Sequence, residues 1–201
     1  MVKQKEKGRW RRENAYKEGD FLLFYGGIIG YAQGLDIILN AAKRLKDYEK
    51  IKFVLLGNGP EKERLLAMKA ELALENLNFY DAVPKSEMLE IIGDMDASII
   101  PLRKLDLFKG AIPSKIFENS AMKKPIILGV EGEAKELFIE QGGCGLAFEP
   151  ENVEELCEKI LTLYNNPVLV STLGENGLRY VSENFNRDEI AKEFYDKLQQ
   201  I

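Results

Sequence analysis

Lys115 and Glu118 stand one helical turn apart in Pro113-Ser114-Lys115-Ile116-Phe117-Glu118-Asn119-Ser120-Ala121-Met122, the stretch whose residue types are best suited to chemistry. Pro113 fits the start of a short helix, where the first N–H groups lack intrahelical acceptors and point outward to meet an anion. Such a site suits a nucleoside diphosphate. The amides and Lys115 would take the phosphates, and Glu118 would accept hydrogen bonds from ribose hydroxyls. Arg103 and Lys104 follow a strand ending near Pro101; Arg103 reads equally as a phosphate ligand or as a solvated loop charge. Glu131 and Glu133 could face the same crevice, although an acidic residue opening a helix and favoured by its dipole accounts better for Glu133.

Short apolar runs alternating with amphipathic stretches must position these residues. Strands are predicted at 21–25, 51–56, 77–80, 97–100, 125–128 and 144–148. Helices are predicted at 33–46, 61–72, 85–93, from Lys115, and at 133–141, 153–163, 168–183 and 187–200. Nearly continuous apolar strands separated by helices imply an α/β fold. The expected form is a Rossmann-like three-layer α/β/α arrangement on a mainly parallel sheet of about six strands. Ligands on such sheets bind beyond the carboxyl ends of the strands. The loops Gly26-Gly27-Ile28-Ile29-Gly30, Gly57-Asn58-Gly59-Pro60 and the one leading into Pro113 all lie there, and would converge on one crevice. Each glycine loop also reads as a structural turn. Neither forms a dinucleotide fingerprint, because the spacing differs and no acidic residue ends the second strand.

The 201 residues suit one domain with a sizeable core, and a formal net charge of -5 argues against a nucleic-acid partner. The basic cluster from Lys3 to Arg12 reads as a solvated, frayed or helical N-terminal segment over residues 1–20, ahead of a domain over 21–201. It lacks the apolar stretch of a signal peptide, and no run is long enough to cross a bilayer. Two cysteines, Cys144 and Cys157, read as buried thiols in a reducing cytoplasm. The absence of histidine removes every His-based triad, Cys–His pair and His-ligated metal, and neither a metal nor a cofactor is expected.

Tyr25-Gly26-Gly27-Ile28-Ile29-Gly30-Tyr31-Ala32-Gln33-Gly34-Leu35-Asp36 resembles the first strand and loop of the nucleotide-sugar-binding half of family-4 glycosyltransferases with the GT-B fold. Leu56-Gly57-Asn58-Gly59-Pro60-Glu61, Pro101-Leu102-Arg103, Pro113 to Glu118, Lys124-Pro125-Ile126-Ile127, Gly132-Glu133-Ala134 and Gly143-Cys144-Gly145 continue that resemblance in order. It implies a donor-binding domain of a retaining, metal-independent glycosyltransferase using a UDP- or GDP-linked sugar in polysaccharide or glycolipid synthesis. Glu118 matches the second glutamate of the E-x7-E motif and would hold the ribose. Ser114 and Lys115 would approach the diphosphate or the donor sugar, Val83 would border the base, and Gly27, Gly30 and Gly59 would line the site. Three positions depart from the pattern: Gly110 replaces the first glutamate, and Ile28 and Gln33 replace two cations. Lys115 and Arg103 are therefore the expected catalytic cations. The resemblance also implies an N-terminal acceptor domain or subunit outside this chain, without which transfer fails and through which any contact with the inner membrane face would run. The alternative is a non-catalytic nucleotide-sugar-binding subunit docking on a separate acceptor subunit.

Overall fold

A computed structural model describes residues 8–199. In chain order the elements are α1 (Arg9–Glu13), β1 (Phe21–Gly26), α2 (Asp36–Arg44), β2 (Ile51–Leu56), α3 (Lys62–Glu71), β3 (Leu77–Tyr80), α4 (Lys85–Gly93) and β4 (Ala97–Pro101). There follow α5 (Lys115–Ala121), β5 (Ile126–Gly129), α6 (Glu133–Lys135), β6 (Gly145–Ala147), α7 (Val153–Tyr164), α8 (Pro167–Asn184) and α9 (Arg187–Leu198). All pairings in the six-stranded sheet are parallel, in the order β3-β2-β1-β4-β5-β6, which is the doubly wound α/β arrangement.

The strands are apolar on both faces because helices cover both. Along β1, Leu23 and Tyr25 enter a core shared with Ile38, Leu39, Leu156 and Ile160, while Leu22 and Phe24 point the other way to Val54, Ile91 and Ile92. The helix expected over 33–46 is shorter in the structure. Tyr31–Gln33 form a 3-10 turn and Gly34 adopts a left-handed φ of 56°, so regular helix begins only at Asp36. The stretch expected as one helix over 133–141 starts as α6 and continues as a π-helix over Glu136–Gln141.

The basic N-terminal segment is not a frayed end where it is described. The Asp94 carboxylate accepts the backbone N–H groups of Gly8 (2.6 Å) and Trp10 (2.8 Å), which anchors the start of α1 beside the end of α4. Arg11 donates to the Asp20 carbonyl (2.9 Å) and to Asp96 (2.6 Å), and Asp96 also accepts the Leu22 amide at the start of β1. Trp10 stacks on Tyr16 (5.6 Å) and meets the Tyr80 ring edge-on (5.0 Å). Trp10 and Tyr16 thus pack on the core formed by Leu22, Phe24 and Val54. Lys3 to Lys7 lie outside the described residues.

The two flanks of β1 differ. Strands β1 and β2 stay in register from Phe21↔Ile51 to Gly26↔Leu56, whereas β1 and β4 pair only at Leu23↔Ala97 and Phe24↔Ser98. Beyond Phe24 the two central strands separate, and a crevice opens over Tyr25. This is the position at which the strand order reverses.

Candidate functional site

The crevice is a cleft of ≈ 290 Å³ whose walls include Tyr25, Gln33, Pro101, Phe108, Pro113 and Lys115. A larger groove of ≈ 840 Å³, lined by Lys17, Asp20, Lys50, Lys52 and Asn76 among others, lies at the amino-terminal ends of the strands. Backbone amides and helix N-termini converge at the carboxyl ends, so the smaller cleft is the chemically competent one.

Lys115 opens α5, where the helix dipole disfavours a cation, and such a placement needs a local reason. Its ammonium lies over the Tyr25 ring, 5.4 Å from the centroid. The same side chain crosses the face of Gly27, where a Cβ would stand 2.6 Å from Lys115 Cε and 2.9 Å from Nζ. Burial lowers the Lys115 pKa below the usual lysine value, against the opposing pull of Glu118. Lys115 forms no ion pair among the described residues. Glu118, one turn along, instead faces Lys85 at the start of α4, at 3.7 Å. Tyr25 is fully buried, and its hydroxyl donates to the Ile28 carbonyl at 2.5 Å, pinning the turn that follows β1.

Arg103, the other expected cation, is turned away from this pocket. Its guanidinium stacks 4.3 Å from the Tyr31 ring centroid, and Nε donates to the Tyr31 carbonyl at 2.9 Å. It also faces Asp36 and Glu151, each at 3.3 Å, and its side chain is only 20% exposed. The neighbouring Lys104 pairs with Glu149. Ser114 precedes α5 on the exposed side of the cleft, and its side chain caps nothing.

The glycines divide by role. Gly27 and Gly30 border the cleft, and the atoms nearest their missing side chains belong to Lys115 and Gln33. A Cβ at Gly57 would stand 1.8 Å from the Gly27 carbonyl oxygen, and one at Gly59 would stand 2.2 Å from that of Ile29. Gly57 and Gly59 therefore let the β2 loop lie directly on the β1 loop, and Gly59 faces backbone rather than cleft. Gly110, where the first glutamate of E-x7-E would fall, has open space around it. Val83, after β3, is partly buried and packs against the core cluster that includes Phe24, Leu56 and Ile91. Glu131 sits at the edge of a smaller recess with Arg103 and Lys109, and Glu133 opens α6.

Two residues escaped the sequence reading. Lys62 donates to the Gly57 carbonyl (3.0 Å), Asn58 Oδ1 (2.7 Å) and Asp81 Oδ1 (2.6 Å), tying the β2 and β3 loops together. A lysine as the first residue of a helix was the available signal, since only a specific partner favours it there. Tyr25 was legible only as an apolar strand residue. Its one distinguishing mark is its place just before Gly26-Gly27.

Among the described residues, no cluster of three His, Cys, Asp or Glu is placed to hold a metal ion, and no helix is long and apolar enough to cross a membrane.

Residues 6–180 match the family of glycosyl transferases group 1. The uncharacterized glycosyltransferase MJ1178 of Methanocaldococcus jannaschii is 30% identical over 171 residues, covering 84% of this chain and 46% of that protein. The putative colanic acid biosynthesis glycosyl transferase WcaI of Escherichia coli is 27% identical over 184 residues, covering 88% and 42% respectively. The chain thus spans less than half the length of these two relatives. In structure it is similar to Anabaena HepE in complex with UDP and glucose (TM-score 0.82, 17% identity, 96% of this chain and 52% of that one). It also resembles the C-terminal domain of a group 1 family glycosyl transferase, LpcC, from Francisella tularensis (TM-score 0.74, 18% identity, 91% and 94%).

Proposed function

The chain belongs to the glycosyl transferases group 1, and from that premise we propose that it is the donor-binding domain of a retaining enzyme that takes a nucleoside-diphosphate sugar. The observation that carries this reading is Lys115: a partly desolvated ammonium without an ion pair, at the switch point of a parallel sheet, beside Gly27. A cation without an ion pair among the described residues and placed in a cleft suits a diphosphate better than it suits stability, because the Tyr25 ring and the more distant Glu118 offset its desolvation only in part.

In this reading the Lys115 ammonium meets the diphosphate; the next two amides of α5, of Ile116 and Phe117, are already bonded to the Pro113 and Ser114 carbonyls (3.0 and 3.2 Å). As the bond between the sugar and the diphosphate breaks, negative charge grows on the departing oxygen, and the fixed ammonium stabilises it. That is the service a metal ion supplies elsewhere, and here the chain has a side chain in position for it. Glu118 accepts from the ribose hydroxyls, Val83 borders the base, and Ser114 and the Gly27–Gly30 turn approach the phosphates. Arg103 holds the Tyr31 turn in place at the rim. UDP is the first nucleotide to test, because structural neighbours are complexes with UDP and UDP-glucose. The similarity to WcaI, a putative colanic acid biosynthesis glycosyl transferase, supports a role in polysaccharide synthesis.

Ile28 (66% exposed), Tyr31 (66%) and Leu107 (83%) leave an apolar rim beside the cleft. This favours a second reading, a nucleotide-sugar-binding subunit that docks there on a separate acceptor-binding partner. Both readings share the donor site. Calorimetry with UDP, GDP and ADP at millimolar concentration should give heat with at least one, and Glu118→Ala should weaken that binding about tenfold. No heat with any of the three, or an unchanged affinity in Glu118→Ala, removes the donor-site assignment.

A further inference from the structure

Two side chains of α5 that the donor site uses, Lys115 and Glu118, have opposite charge and the spacing at which helical residues pair. Had they paired, each would cancel the other before a ligand arrived. They do not pair in the structure. Lys115 turns toward β1 and lies over the Tyr25 ring, whereas Glu118 turns toward α4 and faces Lys85.

We propose that Tyr25 is a positioning residue, whose ring face holds the Lys115 ammonium over Gly27 and so keeps it apart from Glu118 and open to an anion. Four observations converge on this. The electron-rich face of a buried aromatic ring attracts an ammonium without neutralising its charge. Tyr25 cannot swing aside, because it is fully buried and its hydroxyl is held by the Ile28 carbonyl. Gly27 gives the lysine stem its channel, since a Cβ there would overlap Lys115 Cε and Nζ. The remaining cleft walls, from the 3-10 turn, β4 and the loop that ends at Ser114, carry no charged side chain. Glu118 is therefore the charged group that competes for Lys115, and it faces Lys85 in the structure. The cations missing at positions 28 and 33 are thus replaced by one lysine, whose direction is set by an aromatic residue of the central strand.

This inference rests on the donor-site reading for its purpose, but its geometry can be tested without nucleotide. Nuclear magnetic resonance of the ligand-free wild-type protein should show the Lys115 Cε protons shifted upfield by the Tyr25 ring current, relative to exposed lysines. Cε protons of Lys115 at the ordinary lysine position overturn the proposal whatever the protein binds. Followed through an alkaline titration, the Lys115 ammonium should lose its proton at lower pH than exposed lysines. Tyr25→Phe keeps the ring and should preserve both signatures. Tyr25→Leu should abolish the ring-current shift and move the titration upward, toward that of exposed lysines, as Lys115 becomes solvated or pairs with Glu118. UDP affinity should fall roughly tenfold in Tyr25→Leu and stay near wild type in Tyr25→Phe. Equal losses in both variants with the Lys115 titration unmoved would make Tyr25 a plain core residue. If the ring-current and titration results hold while UDP gives no heat, the positioning stands and the donor assignment alone fails.

Discussion

Lys115 and Arg103 stand at opposite ends of the same loop, and the fold treats the two cations in opposite ways. Arg103 has a stacked ring, a backbone carbonyl and two carboxylates around its guanidinium. Lys115 has one aromatic face and no ion pair. The sequence offers both as replacements for the cations absent at positions 28 and 33. The difference teaches that the charge available to a ligand is the charge that the fold leaves uncompensated, and position along a loop does not decide this. An arginine with its planar fork already filled behaves as a brace. In the proposed donor site, a desolvated lysine over a ring keeps its charge for an incoming phosphate.

The comparison breaks most directly at Lys115. Lys115→Met should weaken UDP or GDP binding by roughly 10- to 100-fold, the loss of a charge-assisted contact with phosphate, measured by calorimetry. The same variant should be at least as stable as wild type near neutral pH. Burial depresses the Lys115 pKa, so between its folded and unfolded values the unfolded chain binds more protons. The resulting penalty is fully present below both values and is relieved as the pH rises through the folded one toward about 10.4. Urea unfolding should therefore show the advantage of Lys115→Met shrinking on the alkaline side. A variant that loses stability at pH 7 would mean that Lys115 is a structural residue like Arg103.

Arg103→Ala should do the reverse. It removes a ring contact and two ion pairs, for a stability loss of about 1–2 kcal/mol in urea, and leaves nucleotide affinity within about threefold of wild type. A tenfold loss of affinity at unchanged stability would return Arg103 to the diphosphate site. The smallest effect belongs to Lys85→Gln. Its side chain is 84% exposed where it faces Glu118, and such pairs contribute little in water. Affinity should change by about twofold or less, and a larger loss would place Lys85 itself on the ligand.

The layers of the fold were legible because β1, β2, β4 and β5 are apolar on both faces, which only a covered parallel sheet explains. The pair Lys115 and Glu118 was legible because the two stand one helical turn apart in a short helix that follows Pro113. What could not be read locally depends on residues far apart in the chain. Arg103 finds Asp36, Tyr31 and Glu151, and α1 is held by Asp94, more than 80 positions away. The crevice itself follows from where β4 stops pairing with β1, a matter of sheet geometry that no single segment encodes.

The docking of α1 has a spectroscopic consequence. Trp10 is the single tryptophan of the chain, and its ring contacts Tyr80, the last residue of β3 before the Asp81–Pro84 loop. Lys62 couples that loop to the turn after β2. Excitation near 295 nm thus reports on one place, the seam between α1 and the loop assigned to the nucleotide base. Release of α1 would be seen as an early change in emission, separate from the far-ultraviolet signal of the helices. The molecule carries its own fluorophore at that seam, and following it requires no label.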